Sequence, residues 1–277
     1  MKKISRRSFM AAAAVSVAAL ALTACGGSAS SAASSVASSA ASSEAASSAA
    51  AELTTVEAGK LTMATNATFP PYEMTTDSGE LEGIDVDTAK AIAEKLGLEL
   101  QIDDMDFDAA LLSVQQGKAD IVMAGVTVTD ERKAVMDFSD SYATGIQSII
   151  VPNDSDIASP DDLSGKKIGT QRGTTGYIYC SDDFGDDAVV VYDDGLTAVQ
   201  ALKNGQVDAV VIDNAPAKEY VAANPGLVIL DTSYAEEDYA IGMAKGSALE
   251  DAVNAALEEL KADGTLQSIV DKYITAE

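Results

Sequence analysis

One succession of apolar and polar positions occurs twice along the chain. Residues 109–116 have helical periodicity, a glycine ends the pattern, and a continuous apolar run follows at residues 121–124. The same succession recurs at residues 197–204 and 209–212. A helix ended by glycine and followed by a strand that is apolar on both faces is the αβ unit of a parallel sheet. Because the unit occurs twice, we predict two similar α/β lobes.

The rest of the folded part fits the same architecture. Amphipathic patterns predict further helices at residues 87–96, 216–224 and 248–263, and apolar runs predict further strands at residues 60–65, 98–102 and 166–170. We therefore predict an α/β fold with two lobes, each a mostly parallel central sheet flanked by helices. In open parallel sheets ligands bind beyond the carboxyl ends of the strands, so two facing lobes would form a binding cleft.

The first apolar run leads into a small-residue turn and a helix start. Thr129 is placed to be the N-cap, and the first free backbone N–H groups of the helix then point toward Gly125 and Thr127. Arg132, three residues beyond the cap, could bind a carboxylate in this turn through two charge-assisted hydrogen bonds. The alternative is that Arg132 is a solvated residue on the helix surface.

The second lobe offers matching polar groups. Thr174 and Thr175 lie at another glycine-containing turn between a strand and a helix, where backbone N–H groups suit the same carboxylate. Ordinary helix capping is the alternative for both threonines. Asp213 follows the strand at residues 207–212 and could accept hydrogen bonds from an ammonium group, or could cap the next helix. An anion-binding turn that faces a buried acid matches the carboxylate and the ammonium group of an amino acid.

Composition narrows the possible functions. The chain has 18 Lys and Arg against 44 Asp and Glu, and its formal net charge of −26 makes nucleic acid a poor partner. It has no histidine, which removes the usual general base, the Ser-His and Cys-His pairs and most zinc sites. If Cys25 carries lipid, Cys180 is the single remaining thiol, so we expect no internal disulfide and assign Cys180 no function. We expect no metal and no cofactor.

The N-terminus has the features of an export signal. Two adjacent arginines precede an uncharged apolar run at residues 9–24, which is shorter than a comfortable membrane span. The run ends in Leu-Thr-Ala directly before Cys25, which resembles the bacterial lipobox, whose cysteine is lipidated. We predict a signal peptide at residues 1–24 and lipid attachment at Cys25. The paired arginines leave both Sec and twin-arginine export open.

A low-complexity segment separates this signal from the folded part. Residues 28–51 are Ser or Ala at 22 of 24 positions, so the segment cannot build a core. We interpret residues 25–57 as the lipidated cysteine and its tether. As a flexible coil the tether would reach about 25–30 Å, which clears a globular domain from a membrane surface.

Several short motifs resemble those of the polar amino-acid-binding solute-binding proteins of bacterial ABC importers, which are family 3 extracellular solute-binding lipoproteins. In chain order the motifs are Asn66-Ala67-Thr68-Phe69-Pro70-Pro71-Tyr72-Glu73, Gly83-Ile84-Asp85-Val86-Asp87, Gly117-Lys118-Ala119-Asp120-Ile121, Thr127-Val128-Thr129-Asp130-Glu131-Arg132, Asp137-Phe138-Ser139 and Lys261-Ala262-Asp263-Gly264-Thr265. The resemblance runs over about residues 58–275.

The resemblance implies a type II periplasmic-binding-protein-like fold in which the second lobe is inserted into the first. Lobe I would comprise residues 58–146 and 242–277, and lobe II residues 147–241. Two crossing strands, near residues 144–150 and 238–244, would form the hinge. The lobes would close on the ligand and present the closed form to a membrane permease.

The resemblance also implies roles for individual residues. Arg132 would bind the carboxylate of the ligand with help from Gly125, Thr127 and Thr175, and Asp213 would bind its ammonium group. Thr174 stays a candidate from its place in the second turn.

Other positions bear on the side chain of the ligand. Phe69 would pack on it. Asn66 is a neutral amide where relatives that bind basic amino acids or glutamine often carry an acid, which weakens the case for a cationic side chain. Tyr72 either lines the pocket, which we favour, or packs under the Pro-Pro turn. Arg172 could reach the ligand or be a solvated loop residue, and Thr144 also bears on specificity.

We therefore expect a lipid-anchored, monomeric receptor on the extracytoplasmic face of the bacterial membrane, which delivers a polar L-amino acid to an ABC-transporter permease and is not an enzyme. One alternative is a sensory receptor that signals to a partner, because both functions need only closure driven by a ligand. A second is a dehydratase of prephenate or arogenate on the same fold, with Glu73, Asp213 or another carboxylate as the acid. The sequence does not identify the amino acid.

Overall fold

The computed structural model describes residues 53–274 of the 277-residue chain. The predicted signal peptide, the predicted lipid attachment at Cys25 and most of the predicted tether lie outside the described residues. Among the described residues, no helix is both long and apolar enough to cross a membrane.

Residues 53–274 form fourteen strands and eight α-helices. The strands are β1 (Lys60–Thr65), β2 (Thr68–Phe69), β3 (Glu73–Thr75), β4 (Leu81–Glu82), β5 (Glu99–Asp104), β6 (Ile121–Val122), β7 (Met136–Phe138), β8 (Ala143–Pro152), β9 (Ile168–Gln171), β10 (Val189–Tyr192), β11 (Ala209–Asp213), β12 (Leu227–Ile229), β13 (Ala235–Tyr239) and β14 (Gly242–Ala244). The helices are α1 (Ile84–Leu96), α2 (Phe107–Gln115), α3 (Asp130–Lys133), α4 (Thr175–Phe184), α5 (Gly195–Lys203), α6 (Asn214–Ala223), α7 (Glu250–Ala262) and α8 (Thr265–Tyr273), and two 3-10 turns lie at Pro160–Leu163 and Asp186–Ala188.

Two mixed sheets form the centres of two lobes. Sheet 1, in the first lobe, has the order β5-β1-β6-β14-β7, with β1 parallel to both of its neighbours and β14 antiparallel to both of its own. Sheet 2, in the second lobe, has the order β10-β9-β11-β8-β12, and β13 also pairs with β8. There β9 is parallel to β10 and β11, whereas β8 is antiparallel to β11, β12 and β13. The predicted two-lobe α/β fold is confirmed, but the sheets are mixed and not mostly parallel as predicted, because β14 in sheet 1 and β8 in sheet 2 pair only antiparallel with their neighbours.

Both sheets are buried on both faces, which explains the continuous apolar runs in the sequence. Adjacent residues of one strand point to opposite faces. In sheet 1, Ile121 belongs to the core cluster under α1 and α7, and Val122 to the cluster under α2. In sheet 2, Val210 packs with α5 and α6, and Val211 packs in the cluster that contains Cys180 of α4.

An aspartate precedes the buried strand of each αβ unit and has the same structural role in both lobes. Asp120 Oδ2 accepts the backbone N–H of Thr62 in β1 at 2.8 Å, and Asp208 Oδ2 accepts the backbone N–H of Lys167 just before β9 at 2.7 Å. In each lobe the aspartate ahead of a buried strand thus fixes the start of the parallel strand beside it.

The hinge differs from the predicted pair of continuous strands. The predicted strand at residues 238–244 is two strands, because β13 ends at Tyr239 in sheet 2 and β14 begins at Gly242 in sheet 1. The first crossing strand is β8, and it pairs with β13 with Thr144 opposite Asp238. The two crossings bring the loop after β6 beside the hinge, where Thr127 forms an isolated bridge with Tyr239.

Candidate functional site

A cavity lies between the two lobes, with about 440 Å³ of empty space that includes the solvent at its mouth. Eight of the predicted site residues line it: Asn66, Phe69, Gly125, Thr127, Arg132, Thr174, Thr175 and Asp213. Residues separated by up to 147 positions in the chain therefore meet at one place.

Arg132 is the cationic group of this cavity. The side chain is 8% exposed, and its guanidinium lies over the Phe107 ring, 5.4 Å from the ring centroid. Its Nη1 donates to the carbonyl of Thr127 at 2.7 Å and its Nη2 donates to the carbonyl of Gly173, in the other lobe, at 3.1 Å. Within residues 53–274 Arg132 forms no ion pair with a carboxylate. A solvated surface position for Arg132 is thereby excluded.

A short helix holds Arg132 in place. Thr129 is the N-cap of α3, as predicted, and its hydroxyl accepts the backbone N–H of Arg132 at 3.2 Å. Gly125 has a φ of 55°, and its N–H donates to Asp85 Oδ2 at 2.9 Å. Because that hydrogen is already engaged, Gly125 contributes space to the cavity: a Cβ there would lie 2.9 Å from Phe69 Cε1.

The second lobe contributes the start of α4. Thr174 is its N-cap and accepts the backbone N–H of Tyr177 at 3.3 Å, while its own hydroxyl donates to the carbonyl of Gln171 at 2.8 Å. Thr175 is the first residue of the helix and is 2% exposed. The positive end of the helix dipole therefore faces the cavity beside Arg132.

Asp213 both caps a helix and lines the cavity, which fits both of the roles that the sequence left open. It caps α6, with Oδ1 accepting the N–H of Ala215 at 2.9 Å, and its Oδ2 accepts the N–H of Ile146 at 2.7 Å. It is also 2% exposed and lines the cavity. Burial raises the pKa of this carboxyl, and the two backbone N–H groups oppose that rise. Each oxygen keeps a lone pair with which it can accept a further donor.

Two aromatic rings, Phe69 and Tyr239, line the cavity, and a third, Tyr72, lies behind them, which differs from the prediction. Phe69 stacks on Tyr72 with ring centroids 5.9 Å apart, and Tyr72 meets the edge of Tyr239 at 5.4 Å. Tyr72 is enclosed between these rings and does not line the interlobe cavity; it faces a separate groove that also contains Thr144. Tyr72 therefore packs behind the wall of the cavity and does not line the pocket as predicted.

Asn66 joins the lobes at the edge of the cavity. Gln171 Nε2 donates to Asn66 Oδ1 at 2.9 Å, and Asn66 Nδ2 donates to the carbonyl of Met105 at 2.9 Å. Arg172, in contrast, is exposed and pairs with Asp193 at 3.1 Å. The solvated interpretation of Arg172 therefore fits the structure.

Eight further residues line the cavity that the sequence reasoning did not single out for it: Glu73, Phe107, Ala124, Gln147, Gln171, Val211, Ile212 and Tyr239. Tyr239 lies in β13, where buried residues alternate with exposed ones in the structure. The sequence of this strand has three acidic residues between Ala235 and Tyr239 and shows no such alternation, so the sequence carries no signal for the inner face of β13.

A pair of buried carboxyls lies behind the Gly125 turn. Glu73 and Asp85 are both 0% exposed, and both oxygens of Glu73 lack a hydrogen-bond partner among the described residues. Burial raises the pKa of Asp85 to about 6, with the N–H of Gly125 and the hydroxyl of Tyr142 opposing the rise. Burial and the neighbouring Asp85 raise the pKa of Glu73 well above its usual range. The pair therefore retains a proton at a pH at which exposed carboxyls have lost theirs.

The arrangement is suited to a zwitterion. Burial lowers the pKa of Arg132, and the nearby Glu237 opposes this without forming an ion pair with it, so the guanidinium keeps a desolvation cost that a bound anion would offset. The helix α4 begins beside it, and a buried carboxylate that can accept from a cation lies in the same cavity. Among the described residues no cluster of three His, Cys, Asp or Glu side chains is placed to hold a metal ion.

Comparison with known proteins identifies relatives over most of the chain. Residues 61–276 match the bacterial extracellular solute-binding proteins, family 3. The probable histidine-binding protein of Neisseria gonorrhoeae is 34% identical over 274 residues, which is 96% of this chain and 95% of that protein. The L-cystine-binding protein TcyJ of Escherichia coli strain K12 is 33% identical over 225 residues, 80% of this chain and 85% of that protein.

Solved structures agree with the architecture. The arginine-, lysine-, histidine-binding protein ArtJ from Geobacillus stearothermophilus has a TM-score of 0.76 and 34% identity, covering 79% of this chain and 96% of that one. An ancestral arginine-binding protein bound to glutamine has a TM-score of 0.75 and 43% identity, covering 79% of this chain and 99% of that one.

Proposed function

The chain belongs to the bacterial extracellular solute-binding proteins of family 3, and on that premise we propose that it binds a polar L-amino acid between its lobes and delivers it to the permease of an ABC importer. In this proposal Arg132, the start of α4 and the backbone N–H of Thr127 take the carboxylate, and Asp213 takes the ammonium group. Phe69 and Asn66 line the same cavity, and we expect them to contact the side chain.

One observation carries the proposal. Arg132 is buried in the interlobe cavity, is oriented by carbonyls from both lobes and has no carboxylate partner in the described part of the chain. An α-carboxylate supplies the missing counter-ion, and only the closed arrangement of the lobes brings Arg132 and Asp213 into one cavity.

Native mass spectrometry and titration calorimetry test this function together. The first looks for an amino acid that co-purifies with the gently isolated protein. The second measures binding of the common L-amino acids together with cystine and ornithine. We expect one polar amino acid to bind with a measurable Kd, and a panel without any heat of binding would contradict the proposal.

Two other functions fit parts of the sequence. The relatives are substrate-binding transport proteins and not enzymes, so the dehydratase alternative is set aside. A sensory receptor would use the same binding site. Capture of an ABC permease by the ligand-bound protein, and not by the free protein, would separate transport from signalling.

We also propose that the protein is held at the extracytoplasmic membrane surface as a monomer, through lipid on Cys25 and a tether that ends near residue 57. The support is the motif before the cysteine and the Ser/Ala composition that follows. Incorporation of labelled fatty acid into the wild type and its loss in Cys25→Ala would support the anchor. Equal incorporation into both proteins would exclude it.

A further inference from the structure

Glu237 is a buried carboxylate in the hinge that the proposed binding role does not use. It lies on β13, is 6% exposed, and neighbours the exposed Glu236 and Asp238, whose side chains point the other way. Burying a carboxylate is costly unless hydrogen bonds compensate it. The hydrogen bonds that Glu237 accepts therefore show which groups compensate for its burial.

One oxygen of Glu237 gathers three donors from both lobes. Its Oε2 accepts from the hydroxyl of Thr127 in the first lobe, and from the hydroxyl of Thr175 and Nε2 of Gln147 in the second, each at 3.0 Å. All three donors line the interlobe cavity, whereas Glu237 itself does not. The carboxylate therefore lies behind the residues that face the ligand.

We propose that Glu237 is a positioning residue that links Thr127 to Thr175 across the cleft and so stabilises the closed form of the protein. The bonds to Thr175 and Gln147 lie within the second lobe, whereas the bond to Thr127 crosses to the first lobe beside the hinge, where the backbone of Thr127 is bridged to Tyr239 of the same strand. We expect all three bonds to be made together only in the closed form.

The hydrogen bonds to Glu237 also fix the direction in which the hydroxyl hydrogens of Thr127 and Thr175 point. Because each threonine hydrogen is directed at Glu237, the oxygen lone pairs of Thr127 and Thr175 are left to accept from a ligand. The hydroxyl hydrogens of Thr127 and Thr175 are then not available to the carboxylate of the ligand, which depends on Arg132 and backbone N–H groups. This deepens the proposed function, although the link itself requires no ligand.

A double-mutant cycle tests the hydrogen bond between Thr127 and Glu237. Thr127→Val deletes the hydroxyl and keeps the shape, and Glu237→Leu deletes the acceptor. With L-arginine, L-glutamine and L-cystine as probes, we expect Thr127→Val to raise Kd about tenfold in the wild-type background and less than about twofold in the Glu237→Leu background. An equal effect in both backgrounds would show that the hydroxyl acts on the ligand directly and would overturn the proposal.

Small-angle scattering of the ligand-free protein provides the second test. We expect Glu237→Gln, which keeps the size of the side chain and loses its charge, to have a larger radius of gyration than the wild type. Glu236→Gln, on the same strand but facing solvent, should match the wild type. If none of the three amino acids binds, the proposed function fails, but the scattering test remains valid because it uses no ligand. Equal radii of gyration for Glu237→Gln and the wild type would overturn the proposed role of Glu237.

Discussion

At the scale of single residues, Arg132 is the buried cation that would contact the ligand, and it forms no ion pair within residues 53–274. Replacement of Arg132 by Ala would leave the carboxylate of a ligand desolvated and unpaired, which should weaken binding by about 2–5 kcal/mol. Lysine keeps the charge but loses the planar fork that contacts Thr127 and Gly173, so Arg132→Lys should recover only part of the loss. Titration calorimetry measures both. A loss under tenfold for Arg132→Ala would place the carboxylate elsewhere.

The buried carboxyl pair gives a prediction about pH. The pKa of Asp85 is about 6 in the folded protein against 3.8 for an ordinary aspartate, so between these values the folded state holds a proton that the unfolded chain has released. The contribution of Asp85 to the free energy of unfolding is therefore largest below about pH 4, falls as the pH rises to about 6 and stays low above it.

Asp85→Asn removes this titration. We expect its free energy of unfolding to rise relative to that of the wild type between about pH 4 and pH 6, by about 1–3 kcal/mol in total. Denaturant unfolding at a series of pH values measures the difference. Asp77→Asn, at an exposed turn, is the control and should show no such rise. A difference between Asp85→Asn and wild type that is constant across this range would contradict the assignment.

At the scale of elements, the hinge owes its geometry to a close contact between β8 and β13. A Cβ on Gly145 would lie 2.4 Å from Tyr239 Cζ, and the backbone there is not left-handed, so any effect of alanine is steric. Tyr239 is 1% exposed and cannot move freely. We expect Gly145→Ala to destabilise the protein by about 1–3 kcal/mol.

Gly169→Ala is the matched comparison, because it is also a strand glycine and its Cβ would meet the Val210 side chain at 3.2 Å. Denaturant unfolding should show a clearly smaller loss for Gly169→Ala than for Gly145→Ala. Equal losses would mean that the hinge is not tightly packed at Tyr239.

The elements also indicate what the sequence could predict. The helices α2 and α5 and the strands after them follow from local periodicity, and the Thr129 cap and Arg132 lie within one local motif. Glu237 and Gln171 escaped because their roles depend on partners 110 and 105 positions away. Residues 238–244 are divided between two sheets because β13 pairs with β8 and β14 pairs with β6 and β7. The periodicity of a sequence does not show which strands will be its neighbours.

At the scale of the whole molecule, the two lobes act as one binding unit. Several bonds cross between them, including Arg132 to Gly173 and Gln171 to Asn66, so we expect binding and closure to be coupled. A ligand that binds only the folded protein should raise the free energy of unfolding by about 2.7 kcal/mol at a hundredfold excess over Kd. Calorimetry should show a higher Tm for the wild type with ligand and little change for Arg132→Ala. An equal Tm shift in both proteins would disconnect Arg132 from binding.

The central claim is that a ligand carboxylate completes the charge of Arg132. It is tested most directly by comparing, in titration calorimetry, the amino acid found in the binding panel with its α-carboxamide, on the wild type and on Arg132→Ala. The account predicts that the amide binds the wild type at least about a hundredfold more weakly, because its neutral group leaves the buried guanidinium uncompensated. It also predicts that Arg132→Ala loses most of this discrimination. An amide that binds the wild type within tenfold of the amino acid would contradict the account.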